Sequence, residues 1–299
     1  MPKPTVADLE AFSAIAAHRS FRRAADQLGV ARSTLSHVIT GLERDLGVRL
    51  LHRTTRSVTT TEAGERLLAR VGPILRDLEG ALDEVADDGG QPTGTLRINA
   101  NDVAARMLLR SVVPTFLERY HSMALDLVTE GRLVDIVDQG FDAGIRLAEA
   151  VPRDMIAVPM GGDARFVAVA SPVYLAARAI PIVPDDLHRH RCIRHRLPSG
   201  KLYRWEFERH GQEVSVDVPG VLTLDSPALM AEAALAGMGI AYVSERTVAA
   251  PLADGSLRPV LGEWCPRISG LCLYYSGRRH VPAGLRAFID LVKQADFAA

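Results

Sequence analysis

Six side chains that donate or accept hydrogen bonds, Arg32, Ser33, Thr34, Ser36, His37 and Thr40, fall within the stretch FRRAADQLGVARSTLSHVIT (21–40), and none is acidic. Gathered on one face, such groups bond phosphate oxygens and base edges, whereas phosphate would repel a carboxylate there. The surrounding charge agrees. From Arg19 to Arg56 there are eight arginines against three acids, Asp26, Glu43 and Asp45. From Asp77 to Asp88 the sign inverts, with six acids and no base. The whole chain carries a formal net charge of -1, so the asymmetry, not overall basicity, marks a binding face. The plainer alternative is a helical hairpin with a solvated polar side.

Three short helices would have to position these groups. Leu9, Phe12, Ile15 and Ala16 recur at helical spacing in the first. Ser20 is a natural N-cap for the second, Gly29 ends it, and the third runs to about Leu46. A helix-turn-helix needs a small residue where its helices cross, a tight turn, and apolar inner faces. Ala25 and Gly29 meet the first two requirements, and Ala24, Leu28, Val30, Leu35 and Val38 are the expected buried positions. The next stretch, GVRLLHRTTRSVTTTEAG, reads as a small basic β-ribbon or wing. Beyond Thr61, Leu68, Val71, Leu75, Leu78, Leu82 and Val85 follow at steps of three and four, the pattern of a two-helix seam. Charged flanking faces favour a dimer contact over packing on the chain's own body. Pro73 inside it predicts a kink.

After the hinge-like DDGGQPTG (87–94), strands and helices alternate. Strands are expected at 96–100, 125–129, 143–147, 166–170, 221–224, 240–243 and 271–275, and helices at 103–119, 132–139, 226–237 and 283–294. This is the pattern of α/β units with mostly parallel sheets, enough for two small lobes around a cleft. In such lobes ligands sit at strand carboxyl ends beside helix N-termini. Asn101 and Asp102 occupy one such junction, Asp225 and Ser226 another, and Arg146 ends a strand. Helix N-termini and an arginine fork favour an anion, so the expected ligand is a small organic acid or similar anion. Arg196 is a weaker candidate on the opposite lobe. Asp102 and Asp225 oppose this unless they cap their own helices. LPSGKLYRWEF reads as a hairpin with Trp205 in the core.

Other classes of function have less support. His188, His190, Cys192 and His195 lie close together, but interleaved arginines would repel a cation, so no metal and no cofactor is expected. The chain has no GxSxG, HExxH, GxxxxGK[ST], or GxGxxG after a strand, so it is not expected to be an enzyme. Cys192, Cys265 and Cys272 lack CxxC spacing. They suit a reducing cytosol, and redox sensing through them is the alternative reading. A solute-binding receptor is opposed by the helix-turn-helix and by an N-terminus, MPKPTVADLEAF, without the apolar run of a signal segment. The expectation is a cytoplasmic protein without a membrane span.

The stretch FSAIAAHRSFRRAADQLGVARSTLSHVITGLERDLGVRLLHRTTRSVTTTEAG resembles the N-terminal signature of LysR-type transcriptional regulators. RLVDIVDQGFDAGIRL, ASPVYLA, LPSGKLYRWEF and YYSGRRHVPAGLRAFIDLV are similar to the subgroup related to CrgA and DmlR. The likeness covers essentially the whole chain. It implies an all-α winged helix-turn-helix over 1–60, a long linker helix over 61–90, and a periplasmic-binding-protein-like α/β effector domain over 91–299. The last would comprise lobe I (94–164 and 270–299) and lobe II (165–269). It also implies a homodimer or homotetramer, a partly palindromic double-stranded DNA operator, and a small-molecule effector between the lobes. Carried over, Arg32, Ser33, Thr34, Ser36 and His37 read bases, while Arg53, Thr54 and Arg56 fall on the wing. CIRHRLPSG, with His195 and Arg196, joins the lining of the cleft. Many relatives carry arginine where this chain has His37, which shortens the reach of that contact.

Overall fold

A computed structural model describes residues 4–53, 58–86, 91–130, 134–277 and 281–297. Its first helix, α1 (Val6–His18), starts on a reciprocal cap: Thr5 Oγ1 accepts the Asp8 N–H, and the Asp8 carboxylate accepts the Thr5 N–H at 2.8 Å. Ser20 caps α2 (Phe21–Leu28), and Gly29, at φ +65°, ends it in the left-handed conformation that glycine adopts without penalty. The third helix, α3, spans Arg32–Leu46. Phe12, Ile15, Leu35 and Ile39 are buried between the three helices, with Ala24 and Ala25 letting the backbones approach. Each such large side chain contributes about 1.5–3 kcal/mol. Two expected core positions are not in it. Leu28 and Val30 flank the Gly29 turn and stay exposed, because the left-handed turn swings both away from the helix crossing.

The wing is a short antiparallel ribbon, β1 (Leu51–Arg53) on β2 (Val58–Thr60), with Leu51 opposite Thr60. Thr54 and Arg56 lie outside the described residues. From Thr61 the chain enters α4 (Glu62–Ala86), which runs as one helix through Pro73. Thr61 is bound on both sides, its N–H to the Leu50 carbonyl and its Oγ1 to the Arg49 carbonyl. Gly64 sits so close to Leu50 that a Cβ would fall 2.2 Å from the Leu50 oxygen, which explains the glycine in TTTEAG. Along α4, Leu68 and Val71 are half-buried, Leu75 is buried within the chain, and Ile74 and Leu78 are exposed. The side chains of Leu82 and Val85 lie outside the described residues.

Two five-strand paths make up the rest. The first sheet is built from β3 (Gly94–Ala100), β4 (Met123–Thr129), β5 (Ala143–Leu147), β6 (Met155–Met160) and, much later, β15 (Leu271–Ser276). Its order is β4-β3-β5-β15-β6. It packs on α5 (Asp102–Ser111), α6 (Val113–Arg119) and α10 (Ala283–Gln294) through Ile98, Leu108, Phe116, Leu273 and Phe288. The second sheet has a main path of β7 (Ala164–Ala170), β8 (Cys192–His195), β11 (Leu222–Leu224), β12 (Ile240–Ser244) and β13 (Arg258–Val260), ordered β11-β8-β12-β7-β13, with one further strand paired to β7 off that path. Between them in sequence lie α7 (Pro172–Ala176), the hairpin β9 (Trp205–Arg209) and β10 (Gln212–Val216), α8 (Pro227–Leu235), α9 (Ala249–Ala253) and the short β14 (Arg267–Ile268). Trp205 is fully buried, as expected of a core residue.

Three expectations are corrected. The sheets are mixed, not mostly parallel. In each path two pairs are parallel and two antiparallel, because the chain leaves the first sheet at β6, builds the second, and returns antiparallel as β15. The helix expected at 103–119 is two helices broken at Val112, since Pro114 lacks the N–H that would continue the ladder. Within 132–139 the described part, from 134, is a turn: the Asp135 carboxylate accepts the N–H groups of Val137 and Asp138.

Candidate nucleic-acid interface and effector site

On α3, Arg32, Ser33, Thr34, His37 and Thr40 are exposed and Ser36 is half-exposed, while Leu35, Ile39 and Leu42 point inward. The structure thus gathers all six polar residues on the solvent side of one helix. Thr40 is partly engaged, its Oγ1 donating to the Ser36 carbonyl at 2.8 Å. The helix starts on Ala31, which has no side-chain cap, and no acid lies in its first turn. Its leading N–H groups therefore favour an approaching anion such as phosphate.

The wing is held by a residue that sequence reading counted only as a charge. Glu43 projects from α3, and its Oε1 accepts the Leu50 and Leu51 N–H groups at 2.8 and 3.0 Å. Its Oε2 pairs with Arg53 at 3.2 Å, and Arg53 lies over the Phe21 ring at 5.0 Å. Arg53 is therefore positioned by the fold rather than freely waving. The sequence signal was present, an acid inside a basic stretch, but its partners are backbone groups that no spacing rule reveals. Replacing Glu43 with alanine leaves two partly buried N–H groups without their acceptor. It should destabilise the N-terminal domain by about 1–3 kcal/mol, as read by chemical unfolding.

In the other unit, Asn101 caps α5, its Oδ1 accepting the Ala104 N–H at 2.8 Å. Asp102 follows and pairs with Arg106 at 2.9 Å, so its charge is largely answered. Ser226, not Asp225, caps α8, with Pro227 at its start, and Asp225 is exposed. Arg146 is neither an open fork nor an ordinary surface residue. It is 6% exposed, and its guanidinium donates to the carbonyls of Ile145 and Glu130 and to Asn99 Oδ1. Burial lowers its pKa from the ordinary arginine value. Asn99, which sequence reading missed, is fully buried at the carboxyl end of β3. Its Oδ1 must face the cationic Arg146, which fixes the amide orientation. Its Nδ2 is then a buried donor with no acceptor among the described residues. Tyr274 packs on the neighbouring Gly144, where any Cβ would fall 2.6 Å from its ring.

On the second sheet, His195 ends β8 and meets the Tyr203 ring in a T-shaped contact. Arg196 is exposed and donates to the Gly200 carbonyl at 3.2 Å. Tyr203 stacks on Tyr242, and its hydroxyl donates to Glu206 Oε2 at 3.0 Å. The neighbouring histidines and cysteine do not converge. His188 faces Asp185, His190 meets the Tyr174 hydroxyl at 3.3 Å, and Cys192 Sγ contacts the Leu187 carbonyl. All three cysteines are buried, which pushes the Cys192 thiol up to about 12 and raises those of Cys265 and Cys272. The protonated thiol is the unreactive form.

Burial lowers the pKa of both His190 and His195. The unfolded imidazole, with an ordinary value of about 6.5, then takes a proton before the folded one does. In the window below that value the unfolded state binds more protons, so stability falls as pH falls toward the folded pKa. Thermal unfolding between about pH 5.5 and 7.5 should show the midpoint dropping on the acid side. A His190→Phe/His195→Asn protein should lose most of that slope; an unchanged slope would assign it to other groups.

Two family models match this chain. One, described as bacterial regulatory helix-turn-helix protein, lysR family, covers residues 6–65, and the LysR substrate binding domain covers residues 89–296. The chain is 42% identical over 288 residues to an uncharacterized HTH-type transcriptional regulator, YcaN, of Escherichia coli K12, covering 96% of this chain and 94% of that one. It is 40% identical over 294 residues to the HTH-type transcriptional regulator PgrR of the same organism, covering 98% of both. Among solved structures, CrgA of Neisseria meningitidis, a LysR-type transcriptional regulator, superimposes with a TM-score of 0.59. It is 29% identical, and the match covers 98% of this chain and 99% of that chain. Among the described residues no helix is long and apolar enough to cross a membrane.

Proposed function

The chain belongs to the LysR family of bacterial helix-turn-helix regulators, and on that premise we propose that it reads an operator through α3 as a homo-oligomer answering to a small organic acid. Sequence-specific DNA binding modulated by an effector is the family's activity, and the chain spans both units it needs. The observation that carries the DNA reading is the exposed, acid-free row from Arg32 to Thr40 beside an uncapped helix start. Arg32, Ser33, Thr34, Ser36 and His37 would reach base edges, with Thr40 and the wing Arg53, Thr54 and Arg56 on the backbone. The exposed Ile74 and Leu78 support a dimer contact along α4. The work of such a regulator lies in the cytoplasm, where the DNA is.

The effector reading rests on a group of hydrogen-bond donors at the carboxyl edge of the first sheet, where the Glu130 charge also stands near Arg146. The buried Arg146, the Asn99 amide donor and the start of α5 lie there together, and the Asp102 charge is answered by Arg106. Arg146 would act mainly as a buried charge and as the brace of Asn99, not as a forked ligand. Asn101, Ser226, His195 and Arg196 complete the proposed lining, with Asp225 set against it. A thermal-shift screen of small carboxylic acids and matched amines tests this. An acid at about 100 times its Kd should stabilise the second unit by about 2.7 kcal/mol. Stabilisation by amines and by no acid would reject the anion.

A further inference from the structure

The chain crosses between the two sheets twice, and the crossings touch. On the outward crossing Gly161 and Gly162 have φ of +79° and +67°. On the return, a Cβ on Gly270 would fall 1.6 Å from the Gly162 carbonyl oxygen, so no side chain fits between the two backbones. β14 pairs with the start of β7 immediately beside this point, Ile268 opposite Ala164. Backbone against backbone at a pair of glycines is a pivot: it holds the crossings together but offers little resistance to rotation about them.

Arg246 bridges this point. It lies in the 3-10 turn Glu245–Val248 after β12, on the second sheet's side. One arm of its guanidinium donates to the Gly161 carbonyl at 2.8 Å, and the other to the Phe297 carbonyl, also at 2.8 Å, in the tail after α10. Phe297 is buried, and a Cβ on Gly161 would fall 3.1 Å from Phe297 Cβ and 2.5 Å from Met107 Cε of α5. The pivot, the tail and the helix that opens on Asn101 therefore meet where one cation from the other unit grips two main-chain oxygens. The planar fork matters, because a single ammonium cannot hold two carbonyls in fixed directions. Arg165 makes a second fixture on its own side, to the carbonyls of Gly262 and Cys265, and stays within the second unit.

We propose that Arg246 is the strut that sets the angle between the two lobes, a positioning residue whose grip on Gly161 and Phe297 any effector-driven rotation has to work against. The purpose assigned to it rests on the effector reading above; the strut itself can be tested with no effector. Spin labels on Glu118→Cys of α6 and Val173→Cys of α7, both exposed, report the inter-lobe distance in the full chain. The native cysteines are buried, and dilution with unlabelled protein keeps the signal within one chain. Wild type should give one narrow distribution. Arg246→Met should broaden it about twofold or shift its centre. Arg246→Lys should fall between, and a chain ending at Ala295, which lacks the Phe297 acceptor, should resemble Arg246→Met. Unchanged distributions in Arg246→Met and in the shortened chain overturn the proposal. If Arg246→Met does not fold, Arg246→Lys and the shortened chain decide by the same criterion. A wild type that bound no specific DNA would instead count against the regulator reading, and the distances would still decide the strut.

Discussion

Replacing Arg32 and Ser36 together with alanine should abolish operator recognition while leaving the protein folded. Both side chains project from the solvent side of α3, and neither belongs to the buried set of Leu35, Ile39 and Leu42. Their removal therefore costs little stability, and a thermal midpoint close to wild type is expected. A lost base contact weakens binding by about 1–3 kcal/mol. In a dimer on a two-fold site each of the two losses enters twice, so the expected weakening is roughly a thousandfold or more. Footprinting on selected operator fragments measures it. Arg53→Ala should behave differently, weakening all DNA alike and lowering the slope of binding against salt. Because Arg53 is also tied to Glu43 and Phe21, part of its effect should appear as a loosened wing. An intact footprint in the double variant would remove α3 from the interface.

That the N-terminal unit could be read from sequence has a physical cause. Its elements are short and local, so capping residues, a glycine turn and three-to-four spacing determine nearly everything, and α3 ends where Gly47 turns left-handed. The exceptions were Leu28 and Val30, whose apolar character suggested burial although the turn geometry exposes them. The second unit is less legible because its decisive contacts are remote in sequence. Arg146 meets Asn99 forty-seven residues away and Arg246 meets Gly161 eighty-five away, and neither distance leaves a local trace. The same remoteness explains the mistaken expectation of mostly parallel sheets. The resemblance places 270–299 with the first lobe, but nothing in the segment from Leu271 tells that it enters antiparallel between β5 and β6. Junction residues fared better, since Asn101 and Ser226 carry their capping chemistry beside the helix they start.

The contrast between Leu75 and Leu78 makes the linker helix testable. Sequence spacing treats the two alike, as successive positions of one apolar seam. The structure separates them: Leu75 is 8% exposed in a single chain, and Leu78 is 37% exposed, one turn beyond the exposed Ile74. A charge at Leu75 would enter the chain's own packing, so Leu75→Asp should lower folding stability whatever the oligomeric state. A charge at Leu78 should leave the isolated chain folded and act only where a second chain covers it. If α4 is the dimer contact, Leu78→Asp replaces about 1.5–3 kcal/mol of burial in each subunit with a carboxylate that must be desolvated. Sedimentation should then show a folded, half-size species, and operator binding should collapse because one half-site alone holds weakly. Circular dichroism distinguishes this from unfolding. A Leu78→Asp protein that sediments at the wild-type size would place the dimer contact elsewhere, and the exposed Ile74–Leu78 pair would then need another partner.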